Sequence, residues 1–330
     1  AATIAFAAIA GETPKEVKGL PLVFSDDFEK GADNWVQTDA AAWKIIEDEG
    51  DHAYSLFQQS KYEPPFRSPL NIARVKDLAH EELETSESEP FFLGVRAFAR
   101  EVYGSHPYAT VSPTAASIVA VTPERLAAEA ARRLRPDRAL LLVAGDVDPE
   151  AVFSEAARLL GDWKGEGAPP PPVAVPSDPA GPRRIVVLDR PGSVQTNLLV
   201  GGPGIPRTDP DACALELALT VYGGTLTSRL VQNLRETKGY TYSPGAGASW
   251  MAGRGSVRTF AAVRSDVTGA SLNEVLYEME RMTTTEPTDE EMDRAFRKEA
   301  GSLAIALQTA SGVAEEVARF WVLGLPPEEV

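Results

Sequence analysis

Residues 230–249, LVQNLRETKGYTYSPGAGAS, begin with apolar side chains at helical spacing and end in aromatic and small residues, with Gly239 between the two patterns. This reads as an amphipathic helix, a stop at the glycine, and then a strand. Arg235 falls at the helix end and Tyr242 at the strand entry, so a fixed cation and a phenol are placed to face one cleft. Upstream, YGGTLTSRL (222–230) is a glycine turn that feeds the helix.

Working outward, the continuation predicts a strand over 255–264, a helix over about 268–283 and a single helix over about 289–322. On the other side lie strands at 184–189 and 195–201, then a helix opened by Asp209-Pro210 that runs to Tyr222. The order β-β-α-α-β-β-α-α predicts an α+β fold, an antiparallel sheet with helices packed on one face. Before it, residues 163–183 hold Gly165, Gly167 and the consecutive prolines Pro169 to Pro172. Such a stretch is stiff, extended and unable to join a helix, which marks a linker.

Ahead of the linker, Val95, Phe98, Ala99 and Val102 recur at helical spacing and Gly104 ends that helix. Thr122-Pro123 starts another, because proline at the first helical position loses no hydrogen bond. The run RALLLVAGDV (138–147) predicts a buried strand, and Asp148-Pro149 opens the helix after it. Residues 20–78 differ in character: short aromatic-rich runs at 20–24, 43–46 and 53–58 read as strands between turns. The first ten residues, AATIAFAAIA, end in a small-x-small pattern and read as the tail of an export signal, placing the protein outside the cytoplasm or in a periplasm; a short apolar strand is the other reading. Ten residues cannot span a bilayer. The expected units are 1–13 (export remnant), 14–78 (β-rich segment), 79–163 (partial α/β domain), 164–183 (linker) and 184–330 (α+β domain).

With 330 residues, two domains are the expectation, and 43% hydrophobic against 24% charged residues is a globular composition. A net charge of -16 argues against nucleic-acid and anionic-membrane partners, whose phosphates need clustered Lys and Arg. The single cysteine, Cys213, lies on the apolar face of a predicted helix and reads as a small core residue.

The stretch YGGTLTSRLVQNLRETKGYTYS closely resembles a segment of the pitrilysin/insulinase family of zinc peptidases, and the resemblance extends over about residues 76–330. It implies that this segment belongs to the half that holds substrate. In that family an Arg and a Tyr seven residues apart bind the substrate backbone and the transition state, and the matching positions are Arg235 and Tyr242. Residues 79–163 resemble the second part of such a half, and the resemblance implies a further strand and helix after FWVLGLP (320–326). Residues 20–78, in FSDDFEKGADNW and YSLFQQSKYEPPFRSPLNIA, resemble the opening of a concanavalin-like jelly-roll domain, here truncated. Open sheet edges in a truncated module are a liability.

A zinc peptidase of this kind uses His-x-x-Glu-His on a helix, two imidazoles one turn apart with a general base beside the metal. Only His52, His80 and His106 are present, at no such spacing, so no catalytic residues and no metal ligands are assigned and zinc is expected only on a partner chain. His80 with Glu84 reads as a solvated acidic helix face, and His106 in GSHPY as a loop residue capping a helix end. Gly201-Gly-Pro-Gly204 reads as a turn, since Pro203 removes an N–H that a phosphate loop needs. Ser228 and Ser243 have no neighbouring His in sequence, and Gly245 to Ala248 reads as a place of close backbone approach in a sheet. Arg235 has a plainer reading as a helix-dipole partner, and Tyr242 as half-buried core.

Three functions follow. The first is a non-catalytic pitrilysin-like subunit, inactive alone, that grips peptide substrate through Arg235 and Tyr242 and needs a zinc-bearing partner for hydrolysis. The second is a carbohydrate-binding module in residues 20–78, with Trp35, Trp43, Tyr54, Phe57 and Tyr62 as stacking platforms. The third is a composite chain with no selected activity.

Overall fold

The alternation of residues 254–264 sets where the sheet lies. Ala261 and Val263 are buried on one face, with Val257 and Thr259, while Arg258 and Phe260 take the other. The computed structural model describes residues 16–17, 20–21, 41, 43–48, 51–56, 69–165, 167–179 and 181–326. The chain divides into two units, 1–72 and 73–330.

In the smaller unit β1 (Glu16–Val17) pairs with β2 (Leu20–Pro21), and β3 (Trp43–Asp48) pairs antiparallel with β4 (Asp51–Leu56). The strands expected at 43–46 and 53–58 therefore form a hairpin. The export reading of 1–13, most of the jelly-roll-like text, and Trp35, Phe57 and Tyr62 lie outside the described residues.

The chain goes on through α1 (Pro69–Ser88), α2 (Pro90–Tyr103), α3 (Ala115–Val119), α4 (Pro123–Arg133) and α5 (Pro149–Leu160). Then come β5 (Gln195–Pro206), α6 (Ala212–Leu219), α7 (Arg229–Val231), β6 (Gly245–Ser249), β7 (Arg254–Arg264), α8 (Thr268–Thr284), α9 (Asp289–Ala306) and α10 (Ala310–Leu323). The sheet order is β5-β7-β6, antiparallel throughout, which is the α+β arrangement expected. Paired residues share a face, so Leu198 opposite Ala261 and Val200 opposite Thr259 turn toward the helices.

On that face Leu219, Tyr222, Leu230, Leu234 and Val275 close the main core. Leu230, Leu234 and Val275 are fully buried, each contributing roughly 1.5–3 kcal/mol of transfer free energy. On the opposite face α2 covers part of the sheet, with Phe91 edge-on to Phe260 at 6.3 Å and Arg258 over the Phe91 ring at 5.8 Å.

The expected helix starts are present with their caps. The Thr122 hydroxyl accepts from the Arg125 N–H at 3.2 Å and the Asp148 carboxylate from the Glu150 N–H at 3.1 Å. Gly104 closes α2 in the left-handed half of the map.

Five expectations are corrected. Residues 138–147 form no strand, and Leu140, Leu141, Val143 and Val147 are exposed. Residues 184–189 likewise join no ladder among the described residues. An apolar run supplies demand for burial, but a strand also needs a neighbour, and neither run has one among the described residues. The glycine-rich 201–204 is part of β5, not a turn: Gly201 lies so close to β7 that an added Cβ would meet the Val257 carbonyl oxygen at 2.0 Å. The helix expected over 289–322 is two, because the Thr309 hydroxyl caps a new start by accepting from the Gly312 N–H at 3.0 Å. Cys213 is exposed on α6, whose apolar residues nearly encircle it, so sequence periodicity there could not choose the core side.

Candidate functional site

Arg235 and Tyr242 are brought together by how α7 ends. After Val231 the helix widens into a π turn over Gln232–Thr237, in which the Lys238 N–H reaches back to the Asn233 carbonyl at 3.0 Å. Such widened turns shift the side chains that follow them and recur at functional sites. Gly239 then takes φ 62°, which lets the Tyr240 N–H reach the Leu234 carbonyl at 2.9 Å and reverses the chain. Thr241 bridges to Val263 and donates its hydroxyl to the Ala262 carbonyl at 2.5 Å, fixing the segment to the sheet. Tyr242 follows at once, ahead of β6, which begins only at Gly245.

The Arg235 guanidinium lies over the Tyr242 ring, 4.6 Å from its centroid, a cation–π contact. Tyr242 is 78% exposed, so the reading of it as half-buried core fails. Arg235 also pairs with Glu236 at 3.2 Å. Both side chains line a cavity of about 350 Å³ with Gly223, Leu226, Val231 and Phe260.

That apolar wall was not legible in the sequence. Phe260 comes from β7 and Leu226 from the glycine turn, and only the turn itself carried a signal. Gly223 is needed there because an added Cβ would stand 2.8 Å from the Ala246 backbone.

Beneath this wall Tyr222 is buried, its hydroxyl 3.0 Å from that of Thr259. Burial pushes the phenol up to about 12, Thr259 opposes the shift and the Glu278 charge adds to it, so the ring stays neutral. A second cavity of about 760 Å³ lies against α7, α8 and α9. Its charges are mutually satisfied: Arg229 with Glu291 at 2.8 Å, Arg281 with Glu278 at 2.8 Å and Lys238 with Glu274 at 3.1 Å. Asn233 bridges Glu274 and Glu278 at 2.9 and 2.7 Å, so the network ties the end of α7 to α8.

Ser243 lines the same cavity, and the candidates His106 and Ser228 do not. His106 caps the short turn Pro107–Ala109, its Nδ1 accepting from the Tyr108 N–H at 3.2 Å and its Nε2 lying 2.7 Å from the Ala174 carbonyl. The Ser228 hydroxyl is spent on the Thr225 carbonyl at 2.7 Å. Among the described residues no three His, Cys, Asp or Glu side chains converge as a metal site requires. Zinc, with its need for three or four nitrogen, sulfur or carboxylate donors, does not fit the described residues. What the Arg235 and Tyr242 pair can do is donate hydrogen bonds to an oxygen that carries or develops negative charge.

A family model described as Peptidase M16 inactive domain matches residues 120–299, over half of the chain, and the chain belongs to this family. An uncharacterized zinc protease of Streptomyces coelicolor is 26% identical over 247 residues, covering 72% of this chain and 53% of its own length. The chain thus spans about half the length of that relative. Among solved structures, a peptidase M16 inactive domain from Pseudomonas fluorescens superposes with TM-score 0.70 at 24% identity, over 82% of this chain and 63% of that one. A chain of Complex III2 from Candida albicans superposes with TM-score 0.64 at 16% identity, over 77% of this chain and 62% of that one. At these identities the superpositions show a shared fold.

Proposed function

We propose that the chain is a non-catalytic, peptide-gripping member of its family that works beside a zinc-bearing partner subunit. The observation that carries this is the stacking of Arg235 on Tyr242 at the lip of an apolar-walled cavity. Stacking holds the guanidinium plane while leaving its edge to donate to a peptide carbonyl, and the exposed phenol supplies a second donor. Neither a guanidinium nor a phenol activates water, so the pair by itself binds and polarises without cleaving. The place of one structural relative in a multi-chain complex supports a role within an assembly.

The test is binding of a fluorescently labelled extended peptide, followed by anisotropy, with metal content measured on the same sample. Arg235→Ala is expected to weaken binding about 10- to 100-fold, because hydrogen bonds to a charged donor are worth roughly 1.5–3 kcal/mol. Tyr242→Phe should weaken it less, since the stacking ring remains. Zinc-dependent cleavage by the isolated chain, or binding indifferent to both substitutions, sinks the proposal.

A further inference from the structure

The turn that carries Arg235 is bracketed by a single side chain. In the widened turn over Gln232–Thr237 the Asn233 carbonyl accepts from the Lys238 N–H at 3.0 Å, so these two residues are the ends of one loop. Their side chains converge on α8. The Asn233 amide donates to Glu274 Oε2 at 2.9 Å, and the Lys238 ammonium pairs with Glu274 Oε1 at 3.1 Å. One carboxylate thus holds both ends of the loop, one oxygen to each, and Arg235 lies between them.

The bonding pattern leaves the bracket little freedom. The Asn233 amide nitrogen also donates to Glu278 Oε1 at 2.7 Å, which fixes the amide, since turning it over would set its oxygen against two carboxylates. Glu278 is 1% exposed and accepts from Arg281 Nη1 at 2.8 Å, so the wall behind Asn233 is itself fixed. Within the loop the Thr237 hydroxyl donates to the Gln232 carbonyl at 2.8 Å. The Asn233 and Lys238 hydrogen bonds hold the Glu274 carboxyl below its ordinary range, and Glu274 in turn raises the Lys238 ammonium.

We propose that Glu274 is the positioning residue of the Arg235 and Tyr242 pair: by pinning Asn233 and Lys238 to α8 it keeps the turn wide, and the wide turn lays the guanidinium over the ring. Wide turns are rare because the α form is the default of a helix, so something outside the turn has to hold it open. Leu234, fully buried, anchors the turn to the core at one point, which sets its place and leaves its width open. Two points set the width, and Glu274 supplies both. It lines the larger cavity and not the one that Arg235 and Tyr242 share, so it acts on the pair only through the turn.

Tyr242 is fixed separately, through the bridge of Thr241 to Val263. One residue of α-helix is about 100° of rotation. A turn that closes to the α form therefore changes the angle between Arg235 and the chain beyond it by up to that amount, while the phenol stays with the sheet.

The consequence for peptide rests on the peptide-gripping role given to the pair, but the geometry is tested without peptide. In 15N–1H spectra of the full chain, the Arg235 Nε–H signal, assigned by its loss in Arg235→Ala, is expected upfield under the ring current of Tyr242, and Tyr242→Leu should return it to the ordinary arginine range. Glu274→Ala should move it the same way while the urea midpoint hardly changes, because an ion pair this open adds little to global stability. Glu274→Gln, whose amide offers one acceptor oxygen in place of two, should fall between. Peptide affinity should drop about 10-fold in Glu274→Ala, the lower end of the loss expected for Arg235→Ala. In an Arg235→Ala background Glu274→Ala should cost nothing further, since a residue that acts through Arg235 has no effect without it. An Arg235 signal that stays in place in Glu274→Ala overturns the inference, and so does an additive loss of affinity in the double variant. A signal that moves while peptide affinity holds, or while no peptide binds at all, upholds the positioning role and sinks the peptide-gripping reading instead.

Discussion

Arg229 is the residue on which the end of α7 depends. It is 6% exposed, and its guanidinium donates to both Glu291 oxygens at 2.8 Å and to the carbonyls of Thr285 and Glu286 at 3.2 and 3.1 Å. Glu291 also accepts the Thr288 N–H at 2.9 Å, so one ion pair fixes α7 against the turn between α8 and α9. The Arg229 hydrogen bonds, working against burial, hold the Glu291 carboxyl down to about 2 from its ordinary 4.5. A carboxylate whose folded pKa is depressed contributes stability that is complete above its unfolded value and is lost as pH falls through the folded one. Urea denaturation should therefore show a stability loss between about pH 4.5 and 2 that Glu291→Gln flattens. Arg229→Ala should cost about 3–5 kcal/mol at pH 7, because it strands a carboxylate that is largely buried. A cost under about 1 kcal/mol, typical of exposed pairs, would contradict this reading. None of this was legible in SRLVQNL, where one arginine in an apolar helix reads as its solvent edge and its partner lies 62 positions away.

At the scale of elements, what was legible was what is local. Thr122, Asp148 and Gly104 announced helix ends because a cap is made within four residues of itself, and the structure has each of them. Residues 230–249 placed Arg235 and Tyr242 on either side of Gly239 for the same reason. What could not be read was the π turn that rotates Arg235 over the ring, since it depends on how the helix end meets the sheet. Gly239 couples these two levels. Its φ of 62° lies in the left-handed region, where a Cβ costs about 1–2 kcal/mol. Gly239→Ala is expected to lower stability by about that amount in chemical denaturation and also to weaken peptide binding, because strain at the reversal moves Tyr242 relative to Arg235. A stability loss with unchanged peptide affinity would show that the reversal does not position the pair.

Across the larger unit, the main buried cluster lies around β7, with smaller ones at Ala99, Val102 and Tyr103 and at Phe320, Leu323 and Leu325. Leu230, Leu234, Val263 and Val275 are fully buried around β7, whereas α4 and α5 bury none of their residues and Phe153 on α5 is 67% exposed. The apolar runs at 138–147 and 184–189 read as strands because composition reports that a segment wants burial, and the neighbour that would grant it is a property of the whole chain. Local stability follows buried contacts, so opening free energy should differ sharply along the chain even though caps and helical hydrogen bonds are formed throughout. Native-state hydrogen exchange should find the slowest amides in residues 229–234 and 254–264, and amides of 123–133 and 149–160 exchanging well before them. Leu234→Ala, costing about 2–5 kcal/mol, should bring the slow set down together while barely moving the fast one, because helices that share no core with β7 do not feel its loss. If α4 and α5 exchange as slowly as β7 and fall with it in that variant, the larger unit has a single cooperative core, and the division into a buried sheet and unsupported outer helices is wrong.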